Sequence, residues 1–437
     1  PVFNMGKCLQ PLPLSFQLVF ILLALCIYPT ASVLRSGSHV KSAYFYFGGG
    51  VTPSNIDTTL FTHLYYAFAS LDPVTYEVKR ALDDTSGAIS TFSATVRASN
   101  PSLKTLLSIG GGGSNATSFA AMDATRTGRA AFINSSITVA RSFGFDGLDL
   151  DWEFPHSATD MANFAILFKE WRRAAKKQSP RLLLTAAVYY NVTLRLDGLG
   201  ARSYPTAAIA AYLDWVTLMT YDLHGSWEKT QTAQHTALYD NTTEQILTVN
   251  YGVQQWLNAE LPPSSALLGL AAYGYRWFLK DPKVHGVGAP TSDSDSAATF
   301  SSIQSDVRAA KGKCRVDKTT VAAYCYWTPT PPGNTTIWAG FDDPTTIGAK
   351  VRYLLKKKLR GYSFWSIDGD VHNLLFKRGD LPMFSSHLFL IMSSLVVEDK
   401  LRKYGVGVAK NTIIYIYTYT YIYIMHTFVR THVRRNT

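Results

Sequence analysis

Eight short apolar runs recur along the chain. They are KSAYFYF (41–47), HLYYAFAS (63–70), KTLLSIG (104–110), FDGLDLDWE (145–153), RLLLTAAV (181–188), LDWVTLMTYD (213–222), ALLGLAAY (266–273) and RGYSFWSI (360–367). Each has the length and residue types of a buried strand. Between them lie stretches with apolar residues at helical spacing. ATRTGRAAFINSSITVARSFG and TDMANFAILFKEWRRAAKKQ are the clearest, and the second ends in Arg and Lys, which suit a helix C-terminus. Eight strands alternating with helices predict an α/β fold, a (β/α)8 TIM barrel. A doubly wound open sheet is the competitor. No Gly-X-Gly-X-X-Gly follows any of these strands, and the GGGG at 110–113 lacks the Gly-Lys-Ser/Thr of a P-loop.

Two intervals break the even spacing. The one from 41 to 63 is short. The one from Tyr275 to Gly361 is long and holds the turn-rich PTSDSDSAATFSS and WTPTPPGNTT. It predicts a small α+β insertion after strand 7, at about 276–340.

The ends read differently from the middle. LPLSFQLVFILLALCIYPTAS follows Lys7 and closes on Ala31 and Ser32, so 1–32 reads as a signal peptide, with residues 1–4 a leader before Met5. Pro29 and the short unbroken run argue against a stable membrane span. Five acceptor sequons, at Asn115, Asn134, Asn191, Asn241 and Asn334, fit a secreted glycoprotein, extracellular or vacuolar. Cys8 and Cys26 fall within the signal. Cys314 and Cys325 are near enough in sequence for one disulfide, and without neighbouring His they make a poor zinc site. The barrel is therefore expected over 33–384. The segment 385–437 is an atypical tail whose Tyr/Ile/Thr alternation is what a translated TA-dinucleotide repeat would give. Of the formal net charge of +11, the tail contributes +5 and Lys7 +1. The mildly basic remainder gives no case for nucleic acid, and a monomer is expected.

The chemistry concentrates in FDGLDLDWEFP. Alternate strand residues share a face, so Asp149, Asp151 and Glu153 line one side and Leu148, Leu150 and Trp152 the other. In a barrel the acids must point inward, with Glu153 at the C-terminal end of the strand, where barrel enzymes place their chemistry. Asp146 is out of phase and reads as structural. Three inward carboxylates cannot all stay ionised, so at least one proton is shared and a protonated acid is available near neutral pH. A Mg²⁺ or Ca²⁺ site would also collect carboxylates. No second acidic cluster converges here, so neither a metal nor another cofactor is expected.

These residues carry a resemblance. DGLDLDWE matches the Asp-X-X-Asp-X-Asp-X-Glu signature of glycoside hydrolase family 18, and LSIGG (107–111), LMTYD (218–222) and FWSID (364–368) resemble that family's elements on strands 3, 6 and 8. TLFTHLYYAFASLDP and NPSLKTLLSIGGG look like plant class V chitinases, and the likeness runs from about Ser42 to Asp370. The resemblance implies a retaining chitinase acting on N-acetylglucosamine polymers or oligosaccharides, with substrate assistance in place of a carboxylate nucleophile. Glu153 would be the acid, Asp151 and Asp149 its supporting pair, and Tyr221 a contact to the acetamido oxygen. Trp365 would floor the sugar site. Asp222, Phe68, Tyr273 and Trp277 are further expected substrate contacts, and Trp227 an outer platform.

Two departures from the family pattern stand out. HGSWEKTQ replaces a longer segment after strand 6, and VHNLLFKRGDLPMFSSHLFLIM replaces the Ala-rich last helix. The second predicts an uncovered flank on strands 1 and 8. Losing a helix's buried face would cost roughly several kcal/mol of a domain's roughly 5–15 kcal/mol. A chitin-oligosaccharide lectin on the same fold, or a hydrolase of lipo-chitooligosaccharide signals, are the alternative functions. The presence of Glu153 favours an enzyme.

Overall fold

The pattern of eight runs becomes a closed barrel. In the computed structural model the described residues are 39–379, apart from 81–83, 85–86, 197, 241–245 and 330–334. The expected signal peptide, the tail and the sequons at Asn241 and Asn334 lie outside the described residues.

Strand β1 (Val40–Tyr46) passes through two short 3-10 turns to β2 (His63–Leu71), which pairs with β3 (Val78–Arg80). Then come α1 (Ala88–Ser99), β4 (Lys104–Gly110), α2 (Ala116–Ala124), α3 (Arg126–Ser142), β5 (Gly147–Asp151), α4 (Ala158–Ala175) and β6 (Leu183–Tyr189). A small hairpin, β7 (Thr193–Leu194) and β8 (Arg202–Ser203), leads to α5 (Thr206–Tyr212), β9 (Trp215–Met219), α6 (Val249–Asn258) and β10 (Ala266–Ala271). The next stretch holds β11 (Tyr273–Leu279), β12 (Thr291–Thr299), α7 (Phe300–Ala309), β13 (Lys313–Asp317), β14 (Ala322–Trp327) and β15 (Ile337–Phe341). The chain finishes the barrel with α8 (Pro344–Lys356), β16 (Gly361–Trp365) and α9 (Leu374–Gly379).

The barrel strands β1, β2, β4, β5, β6, β9, β10 and β16 pair in parallel in that order, and β16 returns to β1. Between β10 and β16 an antiparallel sheet, ordered β12-β11-β15-β14-β13, packs with α7. Cys314 and Cys325 face each other on paired β13 and β14 and are disulfide-bonded.

Local signals explain the helix starts. Ser157 and Asp160 form a capping box on α4, and Asp343 with Thr346 does the same for α8, where Pro344 takes the first turn. The buried stripe of α4 is Met161, Phe164, Leu167, Phe168 and Trp171, which packs on the outward Leu148, Leu150 and Trp152. The barrel interior holds Tyr44, Tyr65, Ala67 and Leu106, and below them Val40, Trp215 and Leu267. The Trp215 indole N–H donates to the Tyr65 hydroxyl at 2.8 Å, which satisfies both polar groups in that interior.

The flank of strands 1 and 8 is not bare as expected. The short α9 covers it: Leu375 and Phe376 are buried, and the Phe376 ring meets Phe61 at 5.5 Å and Phe364 at 4.9 Å. The Asp370 carboxylate accepts the Leu375 N–H at 2.6 Å and holds the start of this turn. Burying one Phe contributes about 1.5–3 kcal/mol, so a turn and a half recovers part of what a long helix would supply.

Candidate active site

The site forms at the C-terminal ends of the barrel strands, beginning with β5. Asp149 is fully buried and accepts three hydroxyl hydrogen bonds: from Tyr44 at 3.0 Å, Ser108 at 2.8 Å and Thr185 at 2.6 Å. Burial pushes its carboxyl up, and the three donors pull the other way by favouring the anion. Asp151, one step further along the same face, is 4% exposed, and its Oδ1 has no hydrogen-bond partner among the described residues. Burial, then the charges of Glu153 and Asp149, hold its carboxyl well above the usual range. Glu153 stands just past the strand end and is pushed up to about 7, first by burial and then by the negative charge of Asp222.

The glycine run after β4 makes room for these acids. Gly110 has φ +114°, and a Cβ there would collide with the Asp151 carbonyl oxygen. Gly111, at φ +87°, lies flat against the Phe68 ring. A methyl group at Gly112 would stand 3.3 Å from Glu153 Oε1. This run therefore lets backbone approach the acids, as glycine alone allows at such φ.

On the far side of the mouth sit Tyr221 and Asp222, just after β9. Burial pushes the Tyr221 hydroxyl up first, and the charges of Asp151, Asp222, Glu153 and Asp149 add to it. All four carboxylates therefore lie within electrostatic reach of that one ring. Asp222 takes the left-handed conformation, φ 56°. Its Oδ1 accepts hydrogen bonds from Tyr273 at 2.5 Å and Tyr275 at 3.0 Å.

Trp365 closes the floor at the end of β16. Its half-buried ring stacks on Phe68 (5.5 Å, 23°) and meets Tyr44 at 5.5 Å and Tyr46 at 6.4 Å. The structure thus brings Glu153, Asp151, Asp149, Tyr221, Asp222, Phe68, Tyr273 and Trp365 together around one opening.

Trp277 does not join them. It is fully buried, packs against Trp338 and donates its indole N–H to the Glu228 carbonyl at 2.7 Å. The expectation of a sugar contact there is corrected: β11 turns Tyr273 and Tyr275 toward Asp222, while Trp277, two residues on, lies in the core of the inserted sheet. Trp227 is 59% exposed and leans edge-on against Tyr275. Asp146 sits at the other barrel end, where its carboxylate takes Arg97, Lys104 and the Thr105 N–H. Asn115 and Asn134 are exposed and Asn191 is half-buried.

Sequence reading missed Tyr44, Ser108, Thr185, Tyr275 and His235. Tyr44 shares the inward face of β1 with Ser42, so strand alternation could have found it. His235 lies in a segment without regular structure, and nothing in its sequence neighbourhood flags it.

The family model Glycosyl hydrolases family 18 matches residues 41–370. The class V chitinase CHIT5a of Medicago truncatula is 42% identical over 344 residues, covering 76% of this chain and 86% of that protein. Nod factor hydrolase protein 1 of the same species is 39% identical over 347 residues, covering 77% and 87%. Among solved structures, a class V chitinase from Nicotiana tobaccum in complex with NAG4 superposes with a TM-score of 0.72 at 34% identity, covering 79% of this chain and all of that one. With its barrel, its row of carboxyls and this match over most of its length, the chain belongs to glycosyl hydrolase family 18.

Proposed function

We propose that the protein hydrolyses β-1,4 linkages between N-acetylglucosamine units by a retaining, substrate-assisted route. The observation that carries this reading is the graded row on one face: Asp149 held by three hydroxyls, Asp151 raised and bare at Oδ1, and Glu153 near neutrality at the rim. A group titrating near 7 gives and takes a proton efficiently at neutral pH.

Glu153 donates its proton to the glycosidic oxygen as the bond to the anomeric carbon breaks. Burial, then the charges of Glu153 and Asp149, raise the Asp151 carboxyl and so favour its protonated form, which is a poor nucleophile. The acetamido oxygen of the substrate attacks instead and forms an oxazolinium ion, as enzymes without a carboxylate nucleophile do. Asp151 accepts the acetamido N–H and, by passing its proton toward Asp149, supplies negative charge as the cation develops. Tyr221 donates its hydroxyl to the acetamido oxygen, and Trp365 stacks beneath the ring. Glu153, now ionised, takes a proton from the incoming water, which attacks the opposite face and restores the configuration.

The test compares N-acetylated with de-N-acetylated oligomers of equal length. The reading predicts cleavage of the first only, with the β-anomer formed first by NMR. Equal cleavage of both, or an initial α-anomer, would overturn it. A second reading, lipo-chitooligosaccharide as substrate, is favoured by the 39% identity to Nod factor hydrolase protein 1. Relative kcat/KM on acylated and unacylated oligomers decides between the two. The sequons and the leader-like N-terminus support export, as an extracellular or vacuolar protein.

A further inference from the structure

His235 is completely buried beside the mouth of the barrel, and the route proposed above does not use it. Its contacts define one tautomer. Nε2 lies 3.2 Å from the Tyr273 carbonyl oxygen, an acceptor, so Nε2 carries the hydrogen. Nδ1 is then bare and faces the Asp222 N–H at 3.5 Å, with Asp222 Oδ1 at 3.7 Å. The Leu223 N–H donates to the His235 carbonyl at 3.1 Å, so both residues of the Asp222–Leu223 turn are tied to this one histidine. The ring lies between Tyr273 (5.0 Å) and Tyr275 (5.3 Å), whose hydroxyls both donate to Asp222 Oδ1.

Asp222 needs such a hold. A non-glycine residue in the left-handed region is uncommon and is maintained only where its surroundings determine it. Its side chain is 44% exposed, and the Tyr273 and Tyr275 hydroxyls hold its carboxylate while His235 holds the backbone of the turn. We propose that His235 is a positioning residue: through its bare Nδ1 and its backbone carbonyl it fixes the Asp222 turn, so that the Asp222 carboxylate stays toward Glu153.

The inference rests on Glu153 being the acid. The titratable groups facing this pair are Asp151 and Asp149 from β5, Tyr221 beside Asp222, and Tyr273 and Tyr275 from β11. Tyr204, after β8, also feels Glu153. Among the groups acting on Glu153, the Asp222 charge follows only burial in raising it. Asp222 therefore adds to burial in keeping Glu153 protonated.

Three measurements test this. Long-range ¹H–¹⁵N spectra of the wild-type protein read the His235 tautomer directly. Nε2–H with a bare Nδ1 is expected, and an Nδ1–H tautomer would overturn the proposal without any mutation. The Glu153 carboxyl is then followed by ¹³C titration in H235N and H235Q, assigned with E153Q, with thermal unfolding recorded for each. Asparagine places an acceptor near the position of Nδ1, whereas glutamine places its amide near Nε2 only. H235N should titrate close to wild type. In H235Q the midpoint should fall by about one pH unit, an about fivefold loss of protonated Glu153 at pH 7. A lowered melting temperature with an unmoved Glu153 midpoint in both variants would assign His235 a purely structural role. The titration needs no turnover, so an inactive wild type would overturn the proposed function while leaving this result readable.

Discussion

Asp151 and Asp149 lie on one face of β5, two residues apart, yet they are held in opposite ways. Three hydroxyls converge on Asp149, and among the described residues none reaches Asp151 Oδ1. Hydroxyl donors favour an anion, and burial without a partner favours a neutral acid. In the proposed mechanism the proton of the pair therefore rests on Asp151 before substrate binds, and Asp149 is ready to receive it. D151N should lower kcat by about 10²–10³ with little change in KM, because the negative charge it removes is needed only once the cation forms. Steady-state kinetics on an N-acetylglucosamine tetramer checks this. A rise in KM at unchanged kcat would contradict it.

The pH dependence follows from Glu153. As the proposed acid it must be protonated in the free enzyme, and its carboxyl is raised to about 7. As pH rises through that value the proton is lost, so kcat/KM should fall above about pH 7 with a slope of one proton. D222N removes the negative charge that raises Glu153, so its limb should lie at lower pH. A limb that stays in place would mean that burial alone sets the value.

Two tryptophans should respond in opposite ways. Trp365 is half-buried at the site, so W365A should raise KM about tenfold, near 1.4 kcal/mol, with modest loss of stability. Trp277 is fully buried against Trp338, so W277A should cost about 3–5 kcal/mol in denaturant unfolding. The measurement is a paired unfolding and KM series on the two variants.

Trp277 also shows where sequence reading stops. YGYRW places Tyr273, Tyr275 and Trp277 on one face of β11, and alternation cannot tell which of them another segment covers. Trp338, 61 positions further on, and the Glu228 carbonyl cover Trp277. The β5 acids were readable because alternation and strand polarity are local. Leu148 and Leu150 do pack outward, and Asp149 does meet inward hydroxyls. The barrel was readable for the same reason, since all eight strands carry apolar runs. His235 was not readable, because its meaning comes from a turn 13 residues earlier and a strand 38 residues later.

Asp123 offers a test away from the site. Both of its carboxyl oxygens are buried without a partner among the described residues, and burial pushes it up to about 8 against an ordinary value of 3.8. A carboxyl raised on folding favours the folded state at low pH. That contribution is complete below the unfolded value and is lost as pH rises through about 8. Wild type should therefore lose about 3 kcal/mol relative to D123N between pH 6 and pH 9. Parallel pH–stability curves for the two proteins would contradict the assignment.

The most direct measurement is turnover and binding of an N-acetylglucosamine tetramer by wild type and E153Q. Glutamine keeps the shape of Glu153 and cannot donate the proton. Loss of kcat by at least about 10³, with tetramer binding retained, is the predicted result. Turnover by E153Q at the wild-type rate would contradict the account, as would a wild-type protein that binds the tetramer and never cleaves it.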